Sequence, residues 1–416
     1  MEIDRITYYT RIIEELLNKN NISEELFWAY IERGISYFEE LDYNKAISDF
    51  ESAISIMPDE SLSYYNLGMI YKERGDFDKA VYYMNKVISM EDNNANAYFE
   101  LGVIMNEKGD YLKAFEYLSK AILCGRKTAD VFYNRALILI NLNKFEDAIK
   151  DINIAIKMKP SNSNYYIKRA QININNKDFK SAIDDFTSAI KLKPDYSSYR
   201  VDRAMLYASV GSWIKTRSEI DNRDSFIYKK AKLFSADFVD DSKLYYELAL
   251  YDIDNAIENE SKIYNSFKIG SSYYLVRASI LRSMNRITES IFDLIIAKEN
   301  MKLFSKKNFL DIGPWSIPQK YYLMKAIIHL YLEEFDEVKK ELDFVLNKEI
   351  FSSKLDILYA CYWWKAHRCV EKTNFWFQRA IKNGFDISNL VDDIFEGYFL
   401  RDFIIEAEKK NIIRLP

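Results

Sequence analysis

Five alanines, Ala46, Ala80, Ala114, Ala148 and Ala182, follow one another at intervals of 34 residues. A fixed period of this length restricts the chain to folds that grow by stacking copies of one small element, because a single core does not recur at constant spacing. With that alanine as position twenty, the rest of the frame fills in. Position four holds Tyr30, Tyr64, Tyr98, Phe132 and Tyr166, and position eight holds Gly34, Gly68, Gly102, Ala136 and Ala170. Position twenty-four holds Phe50, Met84, Leu118, Ile152 and Phe186; position twenty-seven holds Ala53, Val87, Ala121, Ala155 and Ala189. Apolar residues at helical spacing give two helices, A and B, per repeat. Small residues at eight, twenty and twenty-seven let the helix axes approach, and large ones at four and twenty-four fill the space between them. Gly75 and Gly109 supply the left-handed residue that closes helix A. Proline at position thirty-two, as in Pro58, Pro160 and Pro194, stops helix B.

Composition agrees with a helical chain and removes several classes of function. Hydrophobic residues make up 49% of the 416, enough for a continuous interior, while Gly (11) and Pro (6) are scarce. The formal net charge is −5, so no general nucleic-acid surface is expected, and the basic run YKKAK at 228–232 reads as a solvated helix face. The first residues carry acids among the apolar ones, unlike a secretory leader, and no window is long and apolar enough for membrane insertion. Three cysteines, Cys124, Cys361 and Cys369, are too few for a disulfide framework. A cytoplasmic protein is expected.

The run Tyr64, Leu67, Gly68, Tyr71 and Ala80 resembles the tetratricopeptide repeat, a 34-residue helix-turn-helix. The second repeat departs from the pattern at Val87, where the other four carry alanine. The resemblance implies an all-α fold, a right-handed α-α superhelix of stacked helix-turn-helix repeats. Five regular repeats cover 27–194, and 1–24 forms an N-terminal capping helix whose Ile6, Ile12, Ile13, Leu16 and Leu17 face the stack. A divergent repeat at 197–263 contains an insertion at 212–243. Three divergent repeats follow over 271–385, with a loop at 303–318, and a C-terminal helical cap occupies 386–416.

Adjacent helix residues point about 100° apart, so the paired tyrosines Tyr64 and Tyr65 have different tasks. Tyr64, at position four, packs within the repeat, and Tyr65, at position five, looks into a concave groove. The resemblance implies that positions two, five, six, nine and twelve of the A helices line a peptide-binding groove. The candidate residues are Tyr65, Asn66, Met69, Phe99, Glu100, Val103, Tyr133, Asn134, Leu137, Ile167, Lys168 and Gln171. Aromatic anchors would supply energy and amides would bond a peptide backbone. Positions five and nine could instead pack on neighbouring A helices, or the insertion could fill the groove. A clamp for a chaperone's C-terminal carboxylates, known from some relatives, is incomplete here. Asn134 and Lys168 fit it, whereas Phe99, Val103 and Asn164 do not.

No catalytic set is legible. The two histidines, His329 and His367, lie near no nucleophile motif, and there is no glycine-rich phosphate loop. CYWWKAHRC at 361–369 lacks the second ligand pair of a zinc site, so no metal and no cofactor are expected. Trp363, Trp364 and Trp376 are expected to seal an end of the stack. The reading is a non-catalytic scaffold or adaptor that binds a peptide segment of a partner protein. The alternative is a peptide-sensing receptor or enzyme regulator of helical-repeat type.

Replacing Ala80 with leucine forces extra carbons between packed helices and should cost about 1–3 kcal/mol. A thermal melt reads this as a lowered Tm, and an unchanged value contradicts the register.

Overall fold

The computed structural model describes residues 4–219, 232, 235–263, 271–307, 318–346 and 353–383. Among the described residues there are nineteen α-helices and no strand. The chain divides into two compact units, Met1–Tyr165 and Tyr166–Pro416. In the first, α1 (Arg5–Asn18) precedes four antiparallel pairs: α2 (Glu24–Glu39) with α3 (Tyr43–Ile56), α4 (Ser61–Glu73) with α5 (Phe77–Met90), α6 (Ala95–Glu107) with α7 (Tyr111–Leu123), and α8 (Ala129–Asn141) with α9 (Phe145–Met158). The second contains five: α10 (Ser163–Asn175, which begins three residues before the division) with α11 (Phe179–Leu192), α12 (Ser197–Glu219) with α13 (Ser242–Ile263), α14 (Ser271–Ser283) with α15 (Ile287–Lys307), α16 (Pro318–Tyr331) with α17 (Phe335–Leu346), and α18 (Ser353–His367) with α19 (Val370–Lys382).

The same turn joins helix A to helix B in eight of the nine pairs, the sixth excepted. Position fifteen has positive φ in Leu41, Gly75, Gly109, Asn143, Lys177, Asn285, Glu333 and Arg368. Only two of these are glycines. The next residue donates its backbone N–H five residues back, as in Asp76 to Tyr71 (2.9 Å) and Asp42 to Tyr37 (2.8 Å), which closes helix A in a Schellman turn. Asp42, Asp76, Asp110 and Asp178 then cap helix B by accepting from the backbone N–H three residues on.

The interior follows the frame. Ala46, Ala80, Ala114, Ala148 and Ala182 are fully buried. A Cβ added at Gly102 would sit 2.6 Å from Leu118 Cδ2, so position eight must be small where position twenty-four is large. A second intra-pair contact was not read from the sequence. Arg33, Arg135, Arg169 and Arg277, at position seven, each meet an aspartate sixteen residues on: Asp49, Asp151, Asp185 and Asp293. Arg135 shows the geometry, with Nε to Oδ2 at 2.7 Å and Nη2 to Oδ1 at 2.8 Å. An aromatic ring at position four covers each guanidinium at 5.6–5.8 Å. In the second and third repeats Leu67 and Leu101 stand at position seven, and Tyr83 and Tyr117 stand at position twenty-three.

Three boundaries differ from the sequence reading. Helix α12 runs through 212 to Glu219, and Trp213, assigned to the insertion, is buried against Phe179, Ala182 and Phe186. Gly211 does not break the helix; it lets the backbone approach α13, where a Cβ would lie 3.0 Å from the Ser242 carbonyl. The sixth repeat keeps its fork, Arg203 to Asp252, but over a separation of 49 residues instead of 16. Helix α15 continues to Lys307, inside the expected loop, and Pro318 opens α16, where its missing N–H costs nothing. At the N-terminus Ile13 and Leu16 are buried with Ile12 packed beside them, whereas Leu17 is 47% exposed and Ile6 is only half-buried. The expected cap at 386–416 lies outside the described residues.

Arg135→Leu leaves Asp151 buried and unpaired and should destabilise by about 3–5 kcal/mol. The pair Arg135→Leu with Asp151→Tyr imports what the second and third repeats carry and should recover most of that loss. Chemical denaturation of the two single variants and the double variant measures the coupling.

Candidate peptide-binding surface

The A helices α4, α6 and α8 carry most of the candidate residues. Their position-four rings do not face a groove. Tyr64 donates its hydroxyl to the Pro58 carbonyl (3.0 Å) and Tyr98 donates to that of Asp92 (3.1 Å), each stapling the turn from the preceding repeat. This separates the paired tyrosines. Tyr65 is half-buried and packs on the cluster of Ala97 and Leu101 from α6. Burial, then the charge of Glu100, pushes its hydroxyl up to about 12, while Arg126 acts the other way. Tyr133 is half-buried with its ring 4.9 Å from that of Tyr165, and burial raises it too.

Phe99 and Glu100 are already engaged. Phe99 is 8% exposed, and the Arg126 guanidinium lies 3.8 Å from its ring centroid. Glu100 is buried and holds Lys72 at 2.7 Å, an ion pair between α4 and α6. Asn66 and Asn134 each donate one side-chain N–H to a carbonyl of their own helix, Leu62 and Asp130, at 2.9 Å. Met69, Val103 and Leu137 are half-buried. On α10, Ile167 packs with Ala189 and Tyr199, Lys168 donates to Gln171 at 3.0 Å, and Gln171 is exposed.

Two residues of this surface were missed from the sequence. Arg126 stands at position thirty-two, where Pro58, Pro160 and Pro194 stand elsewhere, and it bonds Asn96 (2.5 Å) and Asp130 (2.7 Å). Its departure from proline was the available signal. Lys72 stands at position twelve, which the groove pattern includes.

Residues 133–197 match the family model described as tetratricopeptide repeat, and 73–155 match that of anaphase-promoting complex, cyclosome, subunit 3. The chain carries tetratricopeptide repeats. Among solved structures the repeat array is similar to YrrB, titled a TPR protein with an unusual peptide-binding site. The two share 18% identity at a TM-score of 0.38, covering 51% of this chain and 92% of that one. It is also similar to MamA from Desulfovibrio magneticus RS-1 (17%, TM-score 0.36, covering 47% and 99%). A third is pilF of Pseudomonas aeruginosa (14%, TM-score 0.40, covering 49% and 95%). No curated protein matches the sequence. Tetratricopeptide repeats are protein–protein interaction modules, so the chain is an interaction scaffold in that general sense. No helix among the described residues is long and apolar enough to cross a membrane.

One A-helix residue of the second unit is poorly accommodated. Asp202, at position six of the sixth repeat, is pushed up to about 6 by burial alone. Tyr273 nearby is pushed up to about 12, first by burial and then by the charges of Glu260 and Asp202. A raised folded-state value means that the ionised carboxylate opposes folding above about pH 6. The penalty fades as pH falls toward 4, where the unfolded chain also protonates. Asp202→Asn should therefore raise Tm at pH 7 and leave it unchanged near pH 4. Melts across that range test this.

Proposed function

We propose that the chain is a non-catalytic adaptor that holds an extended peptide segment of a partner protein along α4, α6 and α8. The observation that carries this reading is the ladder of position-five aromatics, Tyr65, Phe99 and Tyr133, on successive A helices. Two of the three, Tyr65 and Tyr133, are only half-buried. Such rings give large contact area at low entropic cost. Met69, Val103 and Leu137 continue an apolar strip one turn further along each helix. Asn66 and Asn134 each spend one N–H on their own helix, which leaves a second N–H and an amide oxygen for a peptide backbone.

Phe99 takes a supporting role in this reading. Under Arg126, itself paired with Asp130, it is a platform, not an anchor. Glu100 and Lys72 neutralise each other, so they set the edge of the strip without a net charge preference.

An affinity pull-down from native cell extract compares the wild type with Tyr65→Ala/Tyr133→Ala, after thermal melts show that both fold. A partner captured by the wild type and lost by the double variant supports the groove. Equal capture by both moves binding away from these helices.

A further inference from the structure

The eighth repeat, α16 and α17, breaks the frame at four positions together. Position seven is lysine (Lys325), not arginine, and position twenty-three is glutamate (Glu341), not aspartate. Position eleven, apolar or aromatic in seven of the nine repeats, is His329; position sixteen, an aspartate cap in four others, is Glu334. Their contacts explain why these changes belong together. An arginine fork occupies both oxygens of its aspartate, as Arg135 does with Asp151. The Lys325 ammonium bonds Oε1 of Glu341 end-on, without the two-bond fork of an arginine. Glu334 accepts from His329 Nδ1 at 2.5 Å and is itself held by Lys298 at 2.7 Å. With Nδ1 turned to the carboxylate, Nε2 is the ring nitrogen left to meet a ligand.

We propose that His329, Glu337 and Glu341 form a binding site for a borderline divalent transition metal of the zinc type. The three offer ligand atoms that lie within 4.8 Å of one another. One imidazole nitrogen and two carboxylate oxygens make an N/O set suited to such ions. Tetrahedral bonds near 2.0 Å require ligand atoms about 3.3 Å apart. Glu337 is exposed, so its carboxylate has room to rotate toward that spacing, whereas His329 and Glu341 are buried. Glu334 supplies the outer carboxylate that orients a metal-binding histidine. The site opens on a cavity of about 840 Å³ lined by Lys298, Tyr362 and His367, so a fourth coordination position faces solvent. Both histidines of the chain thus line one cavity. Metal binding is independent of the peptide strip on α4, α6 and α8, and it was excluded from the sequence only because the cysteine and histidine spacing near 361–369 lacked a second pair.

The test uses the full chain, stripped with chelator. Zn²⁺ is titrated by calorimetry and Co²⁺ by its visible absorption. One equivalent is expected to bind the wild type. Glu337→Gln should weaken binding at least tenfold with an unchanged metal-free melting temperature, because its side chain is exposed. Glu334→Gln should weaken it 10–100-fold through the histidine. Absence of saturable binding overturns the proposal. So does binding whose affinity changes less than tenfold in both Glu337→Gln and His329→Gln, since the ion then sits elsewhere.

Discussion

What helix A presents at position seven to position twenty-three of helix B governs these repeats. In five of them an arginine and an aspartate form a two-bond fork in a mostly buried setting. Burial works against this contact: it pushes Asp185 up even with Arg169 bonded to it. Such a pair adds little net stability over an apolar one, but losing either partner strands a charge. The second and third repeats show the other solution, leucine with tyrosine. A repeat can use either chemistry, but not half of each. The fork also sets the rotation of A against B, because two parallel N–H···O bonds accept only one arrangement.

Close approach at position eight and the left-handed residue at fifteen complete the constraint. Gly102 meets Leu118 where a methyl would not fit, so the axes come near enough for the fork to close. Position fifteen turns the chain through positive φ even with Leu41 or Lys177 there. Side chains at such angles are strained by about 1 kcal/mol or more. Tertiary packing of the two helices outweighs that local preference. This is why the glycines at 75 and 109 were readable as turn residues and the non-glycines of the other repeats were not.

The alanine period made the regular repeats and their buried positions legible because one small residue is required at one place in each. The sixth repeat resisted because its two halves are separated by a longer chain. Ala204, Ala249 and Ala256 keep the buried frame in both halves, and the fork between Arg203 and Asp252 joins them, a pairing invisible to a reading of single positions. Trp213 was misassigned for the related reason that a helix can outrun its repeat when a glycine allows close packing instead of a break. In the candidate groove, the helical period correctly separated Tyr64 from Tyr65. It could not foresee that Arg126 would cover Phe99 or that Lys72 would neutralise Glu100, since both contacts join residues 27–28 apart in sequence.

In a stacked array most positions are set by neighbours, so the informative residues are those that leave the pattern without loosening the packing. Arg126 replaces a proline and gains two bonds and a ring; the turn it occupies remains closed by Arg126 N to the Ala121 carbonyl at 2.9 Å. In the eighth repeat Ala326, Val338, Leu342 and Val345 keep the ordinary buried frame, while the four polar positions around them change in concert. Packing alone gives no reason for that change, because the arginine–aspartate fork already satisfied it in the neighbouring repeat at Arg277 and Asp293. His329 gives one ring nitrogen to Glu334 and lines the cavity beside it. The departure is therefore best understood as chemistry directed at something outside the chain.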